Sequence, residues 1–212
     1  MRVVVGSEVT RDFRQAELDR HVEAVSRFIE RAKAGSRSSP TFTLILRSAS
    51  SGPAQALIRM KDELMRAGVS AKVVLAKLEP QEDLRALFKS LSDLAPRDPA
   101  SELIRWARNP RLLDAHEQVT YGEAMCWSGD AMRRDADKRN ALTLFDEAAP
   151  DMVRLGRLAF EALWAASSPV PERRLSGRMA AKPSGAYEQR SEEAVAVSPL
   201  RPSLQGWPLV RH

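Results

Sequence analysis

Apolar positions along the chain change their period several times, and each change marks an element. Residues 11–34 (RDFRQAELDRHVEAVSRFIERAKA) place Phe13, Leu18, Val22, Val25, Phe28 and Ile29 near helical spacing, and Gly35 ends the run, which predicts an amphipathic helix. TFTLILR at 41–47 is rich in β-formers and predicts a strand. Ser50-Ser51-Gly52-Pro53 then opens a helix with proline near its first turn. That helix carries Ala56, Leu57, Met60, Leu64 and Met65 on one side and stops at Gly68. VSAKVVLAKL at 69–78 reads as the next strand. Helices are expected near 80–93 and 99–107. Strands follow at His116, near 124–128 and near 140–145, with a last helix near 149–166.

Strands separated by helices with short connections predict an α/β fold, a mixed β-sheet flanked by helices. The unit 41–78 is long enough for a parallel β-helix-β crossover. No internal repeat is visible. From Ser168 onward the pattern dissolves: six of the thirteen prolines lie there without sustained periodicity, which predicts a disordered tail over 169–212 and an α/β domain over 1–168. Trp207-Pro208-Leu209-Val210 near the end of that tail has the character of a short docking motif.

Composition narrows the function classes. The net charge of +5 looks suggestive of nucleic acid until it is divided. Residues 170–212 hold seven Lys/Arg against four Glu, a net of +3, so the compact part carries only +2. No basic stripe with interleaved aromatics appears, which argues against nucleic-acid binding. The lone Cys126 excludes an internal disulfide and any cysteine-built metal cluster. Its apolar neighbours Met125 and Trp127 predict a buried, inert thiol, and this cysteine usage fits a cytoplasmic location. The three N-terminal valines, Val3 to Val5, fall short of a secretory leader or a membrane span.

Candidate chemistry concentrates in 111–145 (RLLDAHEQVTYGEAMCWSGDAMRRDADKRNALTLF). His116 sits in a short alternating run, Gln118 follows two residues later, and Glu123 comes seven residues after the histidine. Ser128-Gly129 forms a small-residue turn, and Asn140 opens another apolar run. The order resembles the phospholipase D superfamily signature, in which His-any-Lys and four further residues precede Asp. Ala67 to Leu75 resembles the helix-to-strand junction ahead of that motif, and 140–164 its closing strand and helix. The likeness covers roughly residues 40–165.

The resemblance implies His116 as nucleophile, Glu123 as its orienting carboxylate, and Gln118 with Ser128 and Gly129 as phosphate contacts. Asn140 lies beyond the usual pocket asparagine. Gln118 stands where the family has lysine. Losing one preorganised donor at a developing oxyanion commonly costs about 10²–10³ in rate, while the Gln amide can still donate to a bound ligand. Only one half-motif is present, so diesterase chemistry requires a homodimer. These points favour a non-catalytic or weakly catalytic module that binds a phosphate-bearing ligand or a partner protein. An active homodimeric phosphodiesterase is the stronger form of the same reading. The different class is a protein-interaction module that docks through the first helix or the tail.

The remaining polar features have plainer readings. His21, on the charged side of the first helix, and His212 are expected in solvent, and three histidines this dispersed make no metal site. No cofactor is expected. Arg47-Ser48-Ala49-Ser50-Ser51-Gly52-Pro53 joins a strand to a helix N-terminus, as phosphate loops do. It lacks the glycine spacing and the Lys of a nucleotide loop, so an ordinary capped turn is expected. Arg133 to Arg139 is a mixed charge run read as a solvated loop.

Overall fold

A computed structural model describes residues 6–34, 40–134, 144–146 and 148–176. Within them, seven strands form a single mixed sheet in the order β6-β5-β4-β1-β2-β3-β7. The strands are β1 (Thr41–Leu46), β2 (Ser70–Leu75), β3 (Ile104–Trp106), β4 (His116–Tyr121), β5 (Met125–Ala131), β6 (Leu144–Asp146) and β7 (Ser168–Pro169). The helices are α1 (Gly6–Lys33), α2 (Gly52–Arg59), α3 (Lys61–Arg66), α4 (Gln81–Leu94), α5 (Ala100–Leu103), α6 (Pro150–Ala166) and α7 (Glu172–Leu175). A 3-10 turn over Pro110–Asp114 leads into β4. The mixed α/β architecture expected from the alternating pattern is present.

β1, β2 and β3 run parallel, as the helical crossovers between them require. β4 and β5 form an antiparallel hairpin that joins the parallel block through β1, with Phe42 opposite Tyr121 and Ile45 opposite Gln118. Gly122 takes φ +64 in the hairpin turn, and a Cβ there would meet the Phe28 ring at 2.9 Å. Both facts demand glycine.

Strand alternation sends side chains to two unequal faces. Phe42, Leu44, Leu46, Val73, Leu75, Val119, Tyr121 and Trp127 enter the large core under α1, α2, α3, α4, α5 and α7. On the opposite face Ile45, Val74, Ala76, Ala107 and Met132 form a smaller core with Phe160 and Leu163 of α6. Among the described residues, α6 is the long helix on that second face, and Leu112 and Leu113 of the 3-10 turn pack beside it. Polar strand residues such as Thr43, Lys72, Gln118 and Thr120 alternate onto it.

Ser128-Gly129, read from the sequence as a small-residue turn, lies inside β5. Four further expectations change. The helix expected over 99–107 is one turn, α5, after which Ile104, Arg105 and Trp106 pair with Val73, Val74 and Leu75. The open parallel edge of β2 outweighs local helical preference there. The single helix expected from 50 to 68 is broken at Met60 (φ −98, ψ 13) into α2 and α3. Folded structure also runs past the expected boundary at 168, because β7 pairs with β3 and both Val170 and Leu175 enter the large core. The rest of the tail, residues 177–212 with Trp207, lies outside the described residues, as do Asn140 and most of the charge run at 133–139.

His21 is the fourth change. It is fully buried rather than solvated. α1 lays Val25, Phe28 and Ile29 on the core, and His21 lies one turn earlier on that same face, against Trp127 and Tyr121.

Candidate functional site

β4 has two ends, and the residues singled out by the sequence divide between them. At its start His116 is exposed, with ring Nδ1 at 2.8 Å from the Gly129 carbonyl. A carbonyl only accepts, so Nδ1 carries the proton and Nε2 of the neutral ring is left as an acceptor. Register shifts between His116 and Gln118. Gln118 and Ser128 are directly paired across β4 and β5, and Gln118 lies under α6. A Cβ on Gly156 would come within 2.4 Å of its Nε2, so the missing side chain at 156 makes room for the glutamine.

Glu123 is elsewhere. It is exposed on the hairpin turn beyond the far end of β4, a strand whose six residues span about 17 Å. The structure thus brings His116 to Gly129 and Gln118 to Ser128, and it separates Glu123 from His116. An orienting carboxylate for His116 does not come from position 123.

Next to His116 in sequence but turned inward is Glu117, which the motif passed over. It is 3% exposed. Its Oε1 accepts from the Arg47 backbone N–H and the Ser51 hydroxyl, each at 2.9 Å, and its Oε2 lies 3.3 Å from Arg47 Nη2. Arg47 Nε donates to the Met132 carbonyl at 3.3 Å, while its Nη1 is buried with no hydrogen-bond partner among the described residues. The serine loop is likewise occupied with itself: Ser48 and Ser50 share a 2.8 Å bond, and Gln55 donates to the Ala49 carbonyl. Ser51 bonds Glu117, so the turn expected to be capped holds Glu117 instead of capping α2. These bonds tie β1, β4 and β5 together. Glu117 was legible in principle, since it shares the inward phase of Val119 and Tyr121.

The other end of β4 is open. A cavity of about 580 Å³ lies between the last turns of α1, the start of β1, the β4–β5 hairpin and α6. Phe28, Tyr121, Phe160 and Trp164 supply aromatic walls, and Arg31, Lys72 and Arg157 bring three cations against Glu123 and Glu161. Arg157 is held by a 2.8 Å bond from Nη2 to the Gly122 carbonyl. Lys72 Nζ stands 5.3 Å over the Trp164 ring. The cavity opens where α1 and α6, from opposite faces of the sheet, meet around the start of β1 and the β4–β5 hairpin. Its basic residues come from three elements distant in sequence, so no local motif announces them.

Behind the cavity wall, Tyr121 and His21 form a buried pair, with the phenol oxygen 3.0 Å from His21 Nδ1. Burial pushes the Tyr121 phenol well above its usual range and lowers His21 to about 3. Both groups are therefore neutral near pH 7. Cys126 is buried as expected, and burial together with Asp146 raises its thiol. No group of three or more metal-binding side chains occurs among the described residues, and no described helix is long and apolar enough to cross a membrane.

Fold and cavity together define a mixed α/β protein with a polar-rimmed pocket on the lightly covered face of its sheet. No protein-family model matches the chain, and no curated protein matches it.

Proposed function

We propose that the chain is a phospholipase D-like binding module, without efficient diesterase chemistry, that takes a small phosphate-bearing ligand with an apolar or aromatic body. The observation that carries this reading is the 580 Å³ cavity with four aromatic walls and three cations at its rim. Its volume falls in the range of ligand sites, about 300–1,000 Å³. Arginine forks suit phosphate oxygens, and the rings suit a flat apolar group. The ligand site thereby moves from the His116 end of β4 to the hairpin end.

Titration calorimetry with phenyl phosphate, alongside phenol and inorganic phosphate, tests the proposal. Saturable binding of phenyl phosphate, weaker for either fragment alone, is expected. Absence of heat with all three at millimolar concentration would remove the reading.

A second reading, weak phosphodiesterase activity, is favoured by one observation. His116 is exposed and anchored through Nδ1, which leaves Nε2 available for attack on phosphorus. Against it stand the Gln at 118 and the distance of Glu123. Hydrolysis of a chromogenic phosphodiester by wild type and His116→Ala separates the two readings. The binding-module reading expects equal background rates.

A further inference from the structure

α6 is apolar on two sides, and among the described residues only one of them is covered. Val153, Gly156, Phe160 and Leu163 face the sheet and are buried. On the outer side Met152, Leu155 and Leu158 are 45%, 56% and 57% exposed, and the exposed Ala159 and Ala162 continue the stripe. α1, by contrast, buries its apolar side in its own core. An isolated exposed leucine is ordinary, but a row at helical spacing on one helix marks a surface for another element.

We infer that this face is an antiparallel α6–α6 contact with a second copy of the chain. Two features make the stripe self-complementary. Its large residues, Met152 and Leu155, lie in the N-terminal half and its small ones, Ala159 and Ala162, in the C-terminal half. Antiparallel packing about a two-fold axis near Leu158 sets large against small in both directions, whereas parallel packing sets large against large. The stripe is also flanked along one edge by the exposed Arg154 and Glu161. In an antiparallel pair the same edges meet, so Arg154 falls opposite the partner's Glu161, twice per dimer. Arg154 has only a loose, exposed pairing with Asp151 at 3.4 Å to give up.

The size of the contact sets its strength. α6 has 17 residues and is about 25 Å long. A helix pair alone buries less than the roughly 800 Å² per partner of a standard interface, so association in the micromolar range is expected. The helix face is distinct from the ligand cavity, but Glu161 lines both, so Arg154→Glu is the arm that bears on the dimer alone.

Sedimentation equilibrium of the full chain from about 1 to about 100 μM tests it. Wild type should pass from monomer to dimer across that range. Arg154→Glu and Glu161→Arg should each weaken the dimer about tenfold, and the double reversal should restore it. Both positions are exposed, and thermal unfolding of each variant checks that the monomer remains folded. A wild type that stays monomeric throughout overturns the inference. So does a dimer indifferent to both reversals, or one that the double variant fails to recover.

Discussion

The two ends of β4 carry comparable numbers of polar groups and put them to opposite use. At the His116 end, Arg47, Ser51 and Glu117 bond one another below the surface and tie three strands together. At the hairpin end, Arg31, Lys72, Arg157, Glu123 and Glu161 stand around an open cavity. The difference follows from what covers each end. Strand alternation turns Glu117 inward, beside the loop that enters α2, whereas Thr43 and Lys72 turn toward a face with one helix. Polar groups closed on each other stabilise a fold, while polar groups around a cavity line a space that a ligand can enter.

The sharpest way to break this contrast is to empty the closed end. Glu117→Ala leaves the Arg47 guanidinium buried without its carboxylate, and losing one partner of a buried pair costs about 3–5 kcal/mol. A large fall in the urea midpoint is expected, with little change in the affinity of whatever folded protein remains for phenyl phosphate. If stability is unchanged, the closed end is not structural and the contrast fails.

Acid attacks the wall behind the open end. His21 falls from an ordinary value of 6.5 to about 3 because burial disfavours the charged ring. Unfolding therefore takes up a proton between those values. The stability gained by keeping the ring neutral is complete above pH 6.5 and is lost as the pH falls toward 3, by up to about 1.4 kcal/mol per pH unit. Urea midpoints of wild type and His21→Gln across pH 7 to about 4 should converge in slope if His21 is not the source. A shallower slope in the variant is the expected result.

Gly122 sharpens the comparison from the hairpin side. Gly122→Ala combines φ +64 with a 2.9 Å approach to Phe28, and a loss of about 1–3 kcal/mol is expected in thermal unfolding. Arg157→Ala should separate binding from stability. It removes a cavity cation bonded to the Gly122 carbonyl, and weaker phenyl phosphate binding by roughly tenfold or more is expected beside a small stability change. The smallest effect belongs to His116→Ala. It gives up one bond at the surface, so stability should change by under about 1 kcal/mol and ligand affinity not at all.

What the sequence determined by itself was periodicity. The spacing of Val22, Val25, Phe28 and Ile29 is a helix face whatever surrounds it. The β-rich runs at 41–47 and 69–78 become adjacent parallel strands because a crossover helix of the right length lies between them. The same locality made α6 legible almost to the residue. The candidate site was far less legible. Its motif-like spacing placed His116 and Glu123 in one constellation, yet a seven-residue separation along a strand is a long distance in space, not a close one.

Only tertiary structure decided the rest. Ile104 to Trp106 became a strand because β2 offered an unpaired parallel edge. His21 was buried because the face of α1 that packs on the sheet includes its position, despite the charged Asp19 and Arg20 just before it in sequence. The cavity needed Arg31, Lys72 and Arg157 to converge from three elements, and it lies where α1, α6 and the β4–β5 hairpin meet around the start of β1. Local sequence sets which way a side chain points along its own element. Long-range packing sets what it meets there, because burial, charge pairing and open space belong to the assembled layers and not to any one segment.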